Sequence, residues 1–252
     1  MTLNILLSGA TGKVGREIER LVDADPQSAI SGRAGRSEFF DRGAGADVMI
    51  DFSRPSLCVR ALEYAADLGI PLVIGTTGLD DEIQREIDAA AAGIAICQAA
   101  NFSLGVNLLL NLVAEAAGAL AASDFDIEIS EVHHRWKVDA PSGTALALGR
   151  AAAQARGRRH RDVAAFDRHA AEAARADGEI GYQAVRGGDV AGEHTVYFLG
   201  DGERLELSHR ATDRAIFARG ALVAARWLVG RPAGLYGMRE VLGIAEVSSG
   251  KS

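Results

Sequence analysis

The chain has 252 residues, 48% hydrophobic and 24% charged, with 27 basic against 34 acidic side chains and a formal net charge of −7. That length buries one large core or two modest ones, and that balance excludes a disordered or fibrous chain. The negative charge speaks against non-specific nucleic-acid binding, although a local basic cluster can still hold an anion.

Cys58 and Cys97 lie far apart with no CxxC spacing, as expected of a reduced, cytoplasmic protein. The opening MTLNILLSGATGKVG is apolar for only a few residues and reads as neither a signal peptide nor a membrane span. Leu3 to Leu7 is a short apolar run that predicts a buried strand, and REIERLVDAD after the glycines has helical spacing. Ser28 to Ser31 is a second short run, ending in GRAGR. DVMIDFS (47–53) predicts a strand, and PSLCVRALEYAADLG (55–69) a helix opened by proline and closed by glycine. IPLVIGTTG is a strand and turn, LDDEIQREIDAAAAG a helix with acidic residues in its first turn, and IAICQAANFS another strand and turn. Strands therefore alternate with helices to about residue 103, the pattern of a parallel, doubly wound sheet. Its ligands belong beyond the carboxyl ends of the strands, at TGKVG, SRP, GTTG and AANFS.

Residues 9–15, GATGKVG, form a GxxGxxG loop directly after the first strand. Glycines let backbone approach a pyrophosphate, and the helix that follows offers unpaired N–H groups. An ordinary strand-to-helix turn is the competing reading, but the βαβ setting favours a dinucleotide. An acid at the end of the second strand would select NAD, and arginine NADP. The chain has Gly32-Arg33-Ala34-Gly35-Arg36, with no carboxylate until Glu38. Arg33 and Arg36 can both pair with a phosphate, against the plainer reading of two solvated arginines. The expected cofactor is NADPH, with NADH usable.

The pattern then changes. Residues 103–123 predict a long helix, 124–134 a strand and 142–157 a second helix. Gly157 to Glu179 has weak periodicity and reads as a partly ordered surface insertion. Residues 180–211 hold three strand-like runs separated by GGD and GDGE, the composition of an antiparallel meander. A helix over 213–230 and a short one in PAGLYGMREVLG complete a tail expected to pack back on the first segment, whose parallel strands need helices on both faces.

Between these elements, residues 131–146 read EVHHRWKVDAPSGTAL. A metal site is not expected, because adjacent histidines on a strand face opposite ways and no third His or Cys stands at zinc spacing. A surface basic cluster without a role leaves the neighbouring turn unexplained. The remaining reading is a site that binds an anion and moves a proton. Ser142, Gly143 and Thr144 open a helix whose N–H groups and hydroxyls can grip a carboxylate. His133, His134, Arg135 and Lys137 add positive charge, and a histidine can serve as general acid or base. On one straight strand, His133 and Lys137 would lie about 13 Å apart. For both to meet one small ligand the chain must bend after His134, so 135–141 is expected to be a loop, with Asp139 tying it down.

EVHHRWKVDAPSGTA closely resembles the signature of the 4-hydroxy-tetrahydrodipicolinate (dihydrodipicolinate) reductase family. The resemblance runs nearly the whole length, through GATGKVG, DFSRP, VIGTTG, AANFSLGVN, GDVAGEHTVYF, ERLELSHRA and FARGA. It implies an α/β protein: a Rossmann-like nucleotide domain from 1–103 and 213–252, and an α+β substrate domain over 104–212. The mostly antiparallel sheet of the second would assemble a homotetramer. It implies NAD(P)H-dependent reduction of a cyclic dicarboxylate on the diaminopimelate route to lysine. His133 matches the family's acid/base and Lys137 its proton donor, while His134, Gly143 and Thr144 match substrate contacts. Gly9, Ala10, Thr11, Gly12, Lys13 and Val14 match nucleotide contacts. So do Gly75, Thr76 and Thr77, then Ala99, Ala100, Asn101 and Phe102, and finally Arg54 and Arg36. Three departures stand out: Trp136 where a histidine is common, Gly35 where an acid is expected, and a short stretch between Arg36 and Asp51. Trp136 is not at a catalytic position, so activity should survive it. The rival readings are an amino-acid or sugar dehydrogenase of similar layout and a nucleotide sensor that lost the chemistry. The first is not expected to carry HHRWKVDAPSGTA, and the second would lack His133 or Lys137.

Overall fold

The computed structural model describes residues 2–34, 45–169 and 174–245. The chain forms two compact units. One takes the chain to Leu104 and resumes over Arg214–Ile244; the other takes Gly105–Asp213.

The first unit opens with β1 (Leu3–Ser8), α1 (Lys13–Asp23), β2 (Ser28–Ala34), β3 (Val48–Asp51), α2 (Pro55–Leu68), β4 (Leu72–Ile74), α3 (Asp81–Ala90) and β5 (Ala95–Gln98). The helices carry the expected end signals. Pro55 starts α2, and Gly69, at φ +64°, ends it with its N–H on the carbonyls of Ala65 and Ala66. The Asp80 carboxylate caps α3 by accepting from the N–H groups of Glu82 and Ile83.

The second unit holds α4 (Leu104–Ala119), β6 (Phe125–His133), α5 (Gly143–Ala155), α6 (His160–Val163), β7 (Ala164–Ala165), β8 (Ile180–Arg186), β9 (Gly192–Gly200) and β10 (Glu203–Ala211). Its sheet has the order β10-β9-β6-β8-β7. The long pairings β10–β9 and β9–β6 are antiparallel, while β8 runs parallel to both β6 and β7. The inner face of β6 contributes Ile127 and Ile129 to a core with Leu109 and Val113 of α4, Leu148 and Ala152 of α5, and Phe198 of β9. A half-buried sheet of this kind alternates in burial, as β6 does.

Two expectations are corrected here. Residues 180–211 are not a meander, because β6 lies between β8 and β9. Periodicity marks a strand but does not name its neighbour. The stretch after Gly157 is not simply a surface insertion either, since it contains α6 and the edge strand β7.

The chain returns to the first unit through α7 (Ala215–Leu228), β11 (Gly234–Tyr236) and α8 (Met238–Val241). The first sheet is parallel throughout, in the order β11-β5-β4-β3-β1-β2. Strand β11 was not foreseen: its three residues are too few to show a period. Alternate strand residues feed two cores. Leu6, Met49, Leu72, Ile74 and Ile96 pack with Cys58, Leu62 and Ala65 of α2 and Ile87 of α3. Ile5, Leu7, Ile50 and Val73 pack with Ile18 and Val22 of α1 and Ala221 and Leu222 of α7. The tail helix is thus half the cover of one face. It sits so close that a Cβ at Gly220 would fall 1.6 Å from the Phe102 carbonyl oxygen.

Candidate active site

The carboxyl ends of the first sheet converge around the glycine loop. Gly9 has φ +81°, and a Cβ there would lie 2.1 Å from the Phe52 carbonyl oxygen. A Cβ at Gly15 would lie 2.2 Å from the Gly9 carbonyl oxygen, so α1 rests directly on the loop. Gly12 caps α1, whose first turn carries no acidic side chain to repel an anion. Gly75 faces the Phe52 ring with no room for a side chain. Phe52 in turn meets Phe102 edge-on at 5.4 Å. Beneath the loops, the fully buried Asp51 accepts from Ser53 Oγ at 2.5 Å and from Thr76 Oγ1 at 2.6 Å. The Ser53 N–H donates to Thr76 Oγ1 at 2.8 Å, tying the DFSRP and GTTG loops together. The cradle of Gly9, Gly12 and Gly15 beside a helix terminus fits a dinucleotide diphosphate.

Other nucleotide candidates divide by environment. Arg54 and Thr77 are exposed at strand ends. The Thr76 hydroxyl is used internally, and Phe102 is a core side chain, so neither offers more than backbone to a ligand. Asn101 Oδ1 accepts from the Ser103 N–H at 2.8 Å, shaping the turn after Ala99 and Ala100. Arg33 lies within β2, longer than expected, and its guanidinium pairs with Glu19 of α1. Arg36 and Gly35 lie outside the described residues.

In the second unit the inner face of β6 changes from Ile127 and Ile129 to Glu131 and His133 as the strand ends. His133 Nδ1 lies 2.5 Å from Glu131 Oε2. Arg186 grips the same carboxylate with both arms, Nη1 to Oε2 at 2.7 Å and Nη2 to Oε1 at 2.6 Å. The Ser142 N–H donates to Oε1 at 3.1 Å. Burial raises the Glu131 pKa, but these donors outweigh it and hold the carboxyl below the usual range. Burial pushes His133 below an ordinary histidine against the pull of Glu131, and the charges of Lys137 and Arg186 push the same way.

The chain bends where expected. The strand ends at His133, and the Lys137 N–H donates to the His134 carbonyl at 3.1 Å, turning the chain back. Residues 135–141 form no helix or strand. Asp139 pairs with Lys137 Nζ at 2.9 Å, and its carbonyl accepts from Arg186 Nη2 at 2.6 Å. Helix α5 then starts at Gly143, where a Cβ would meet nothing within 4 Å. Ser142 departs from the expectation of a substrate contact. It is 2% exposed, its hydroxyl caps α5 by accepting from the Ala145 N–H at 3.2 Å, and it lies 3.0 Å from His194 Nε2. Ser142 therefore builds the helix terminus, and its hydroxyl is turned away from solvent.

Glu131, Arg186 and His194 were missed from sequence. Glu131 carried a signal, since it stands two residues before His133 and so on the same face of a strand. Arg186 pairs in register with His133, and His194 with Glu131, but those pairings join segments more than 50 residues apart. Among the described residues no group of three or more metal-binding side chains gathers, and no helix is long and apolar enough to cross a membrane.

Comparison with known proteins gives the family of the chain. A model described as "Dihydrodipicolinate reductase, N-terminus" matches residues 3–102, and one described as "Dihydrodipicolinate reductase, C-terminus" matches 105–242. The chain is 46% identical over 250 residues to a 4-hydroxy-tetrahydrodipicolinate reductase from Caulobacter vibrioides, across 96% of this chain and 97% of that protein. To the protein of that name from Pseudoalteromonas translucida it is 53% identical over 196 residues, 78% of this chain and 73% of that one. Among solved structures, a dipicolinate-bound dihydrodipicolinate reductase from Paenisporosarcina sp. TG-14 superposes with a TM-score of 0.77 at 22% identity, covering 95% and 99% of the two chains. That likeness carries the fold.

Proposed function

The chain belongs to the dihydrodipicolinate reductase family, and we propose from the geometry of its site how it reduces 4-hydroxy-tetrahydrodipicolinate to tetrahydrodipicolinate. It is an NAD(P)H-dependent oxidoreductase of diaminopimelate and lysine biosynthesis. The dehydrogenase and sensor readings are not favoured, since both halves match one reductase family.

The residue roles are our reading. The Gly9–Val14 loop and the α1 terminus hold the diphosphate, with Gly75–Thr77 and Ala99–Phe102 supplying backbone around the rest of the nucleotide. Reduced nicotinamide supplies the hydride when bound. The substrate is a dianion, so its carboxylates need donors. Gly143, at the start of α5 where a Cβ would meet nothing within 4 Å, offers its N–H, and Thr144 and His134 are assigned the remaining carboxylate contacts. The 4-hydroxyl leaves as water in the overall conversion, and His133 and Lys137 carry the proton that must balance hydride delivery. The observation that carries this reading is one strand, one turn and one helix start bringing His133, Lys137 and Gly143 to the same end of the second unit.

NADPH as the preferred cofactor is supported by Arg33 at the end of β2 and by the lack of an acid beside it. Glu19 competes with a ribose phosphate for that guanidinium. Assembly as a homotetramer through the second sheet is supported by β10, an edge strand exposed along most of its length. Thermal melting tests the ligand assignments. Pyridine-2,6-dicarboxylate added to the NADPH-bound protein should raise Tm beyond the effect of NADPH alone. A protein that responds to nucleotide and ignores the dicarboxylate would contradict them.

A further inference from the structure

We propose that Glu131 and Arg186 are positioning residues: they fix His133 as its Nδ1–H tautomer and so make Nε2 the atom that exchanges the substrate proton. The proposal rests on the reading of His133 as the acid/base group.

Each oxygen of Glu131 already receives hydrogen from Arg186, and Oε1 receives a third from the Ser142 N–H. A guanidinium and a backbone N–H can only donate. The carboxyl is therefore ionised and has no hydrogen to offer Nδ1 at 2.5 Å. That contact is a hydrogen bond only if Nδ1 carries the proton. Nε2 is then the lone-pair nitrogen of the neutral ring.

Two neighbours fit this assignment. A Cβ at Gly192 would come within 2.9 Å of His133 Nε2, so glycine there leaves space beside the reacting nitrogen. His194 stands edge-on to the His133 ring at 5.1 Å, and its burial keeps it uncharged near neutral pH. It adds no competing positive charge. Glu131 also links the ring to the anion-holding terminus through Ser142, and Arg186 links both to the Lys137 loop through the Asp139 carbonyl. One ion pair thus sets the relative placement of the proton carrier and the carboxylate grip.

The test is the tautomer of His133 and the rate, measured together on the full chain. With ¹⁵N-labelled histidine, the wild-type His133 should show a protonated Nδ1 and an unprotonated Nε2 when the ring is neutral. In Glu131→Gln the amide oxygen takes the Oε1 place, where Arg186 Nη2 and the Ser142 N–H donate, while the NH₂ takes the Oε2 place, loses the bond from Arg186 Nη1 and donates to Nδ1, so the tautomer reverses. Its kcat should fall by about 10²–10⁴-fold, the range of acid–base catalysis, with KM and nucleotide affinity little changed. Glu131→Asp should recover the Nδ1–H form and part of kcat. Arg186→Lys, which keeps one donor to the carboxylate, should keep the tautomer and lose less rate than Glu131→Gln; it also serves if the amide variant does not fold. A wild-type Nε2–H spectrum, or a reversed tautomer with undiminished kcat, would overturn the proposal. Undiminished kcat in His133→Ala would instead overturn the acid/base reading beneath it.

Discussion

His194 shows how one side chain links the site to stability. It is buried on β9 opposite Glu131, 3.0 Å from Ser142 Oγ. Burial is the main cause that lowers its pKa to about 4, helped by His133 and opposed by Glu131, with His209 and Lys137 lowering it further. An unfolded histidine takes its proton near pH 6.5, whereas the folded one waits until about 4. The unfolded state therefore binds more protons between those values, and stability falls as pH drops through that window. The full loss is roughly 3 kcal/mol. Glu131 acts lower, since its depressed pKa contributes stability that is lost only as pH falls below about 4.5. Urea unfolding at pH 7 and pH 5 should show the loss in wild type and a smaller one in His194→Gln. Equal losses in both would assign the acid sensitivity elsewhere. His133, Lys137 and Gly143 were legible as a cluster because they are near in sequence. Of Glu131 only its shared strand face with His133 was legible, because Arg186, which grips it, stands 55 residues away.

At the scale of the element, the informative sites are helix starts. Both α1 and α5 were readable from glycine and from Pro-Ser-Gly-Thr, because capping chemistry is local. What lay beyond sequence was the neighbour of each strand. Strands β8 and β9 are joined by a short link, yet β6 lies between them. Turn composition cannot report that, because the deciding contacts are Ile127 and Ile129 with a core assembled from distant segments. The close seating of α1 makes its own prediction. Gly15→Ala puts a methyl 2.2 Å from the Gly9 carbonyl oxygen, and α1 must move off the loop. Overpacking of this kind costs about 1–3 kcal/mol. A calorimetric melt should show a lower Tm, and NADPH titration a weaker Kd, because the loop and helix terminus lose their register. Unchanged Tm and Kd would mean that the glycine is only a turn residue.

At the scale of the molecule, the chain leaves its first sheet at Leu104 and returns at Arg214 to complete it. The alternation of strands and helices announced the doubly wound sheet. The need to cover both faces announced the returning tail, and α7 supplies that cover. Strand β11 stayed hidden because Gly-Leu-Tyr is too short to carry a period. The net charge of −7 is a sum over the whole chain and does not set the local charge at the turn that carries Lys137. The central claim is that this loop performs proton transfer in a reductase. The most direct measurement is consumption of NADPH, and separately NADH, with substrate generated in place from pyruvate and aspartate semialdehyde by the preceding synthase. Wild type should turn over, faster with NADPH, and His133→Ala and Lys137→Ala should each lose about 10²–10⁴-fold in kcat. No turnover from a folded, nucleotide-binding protein, or full rates in both variants, would contradict the account.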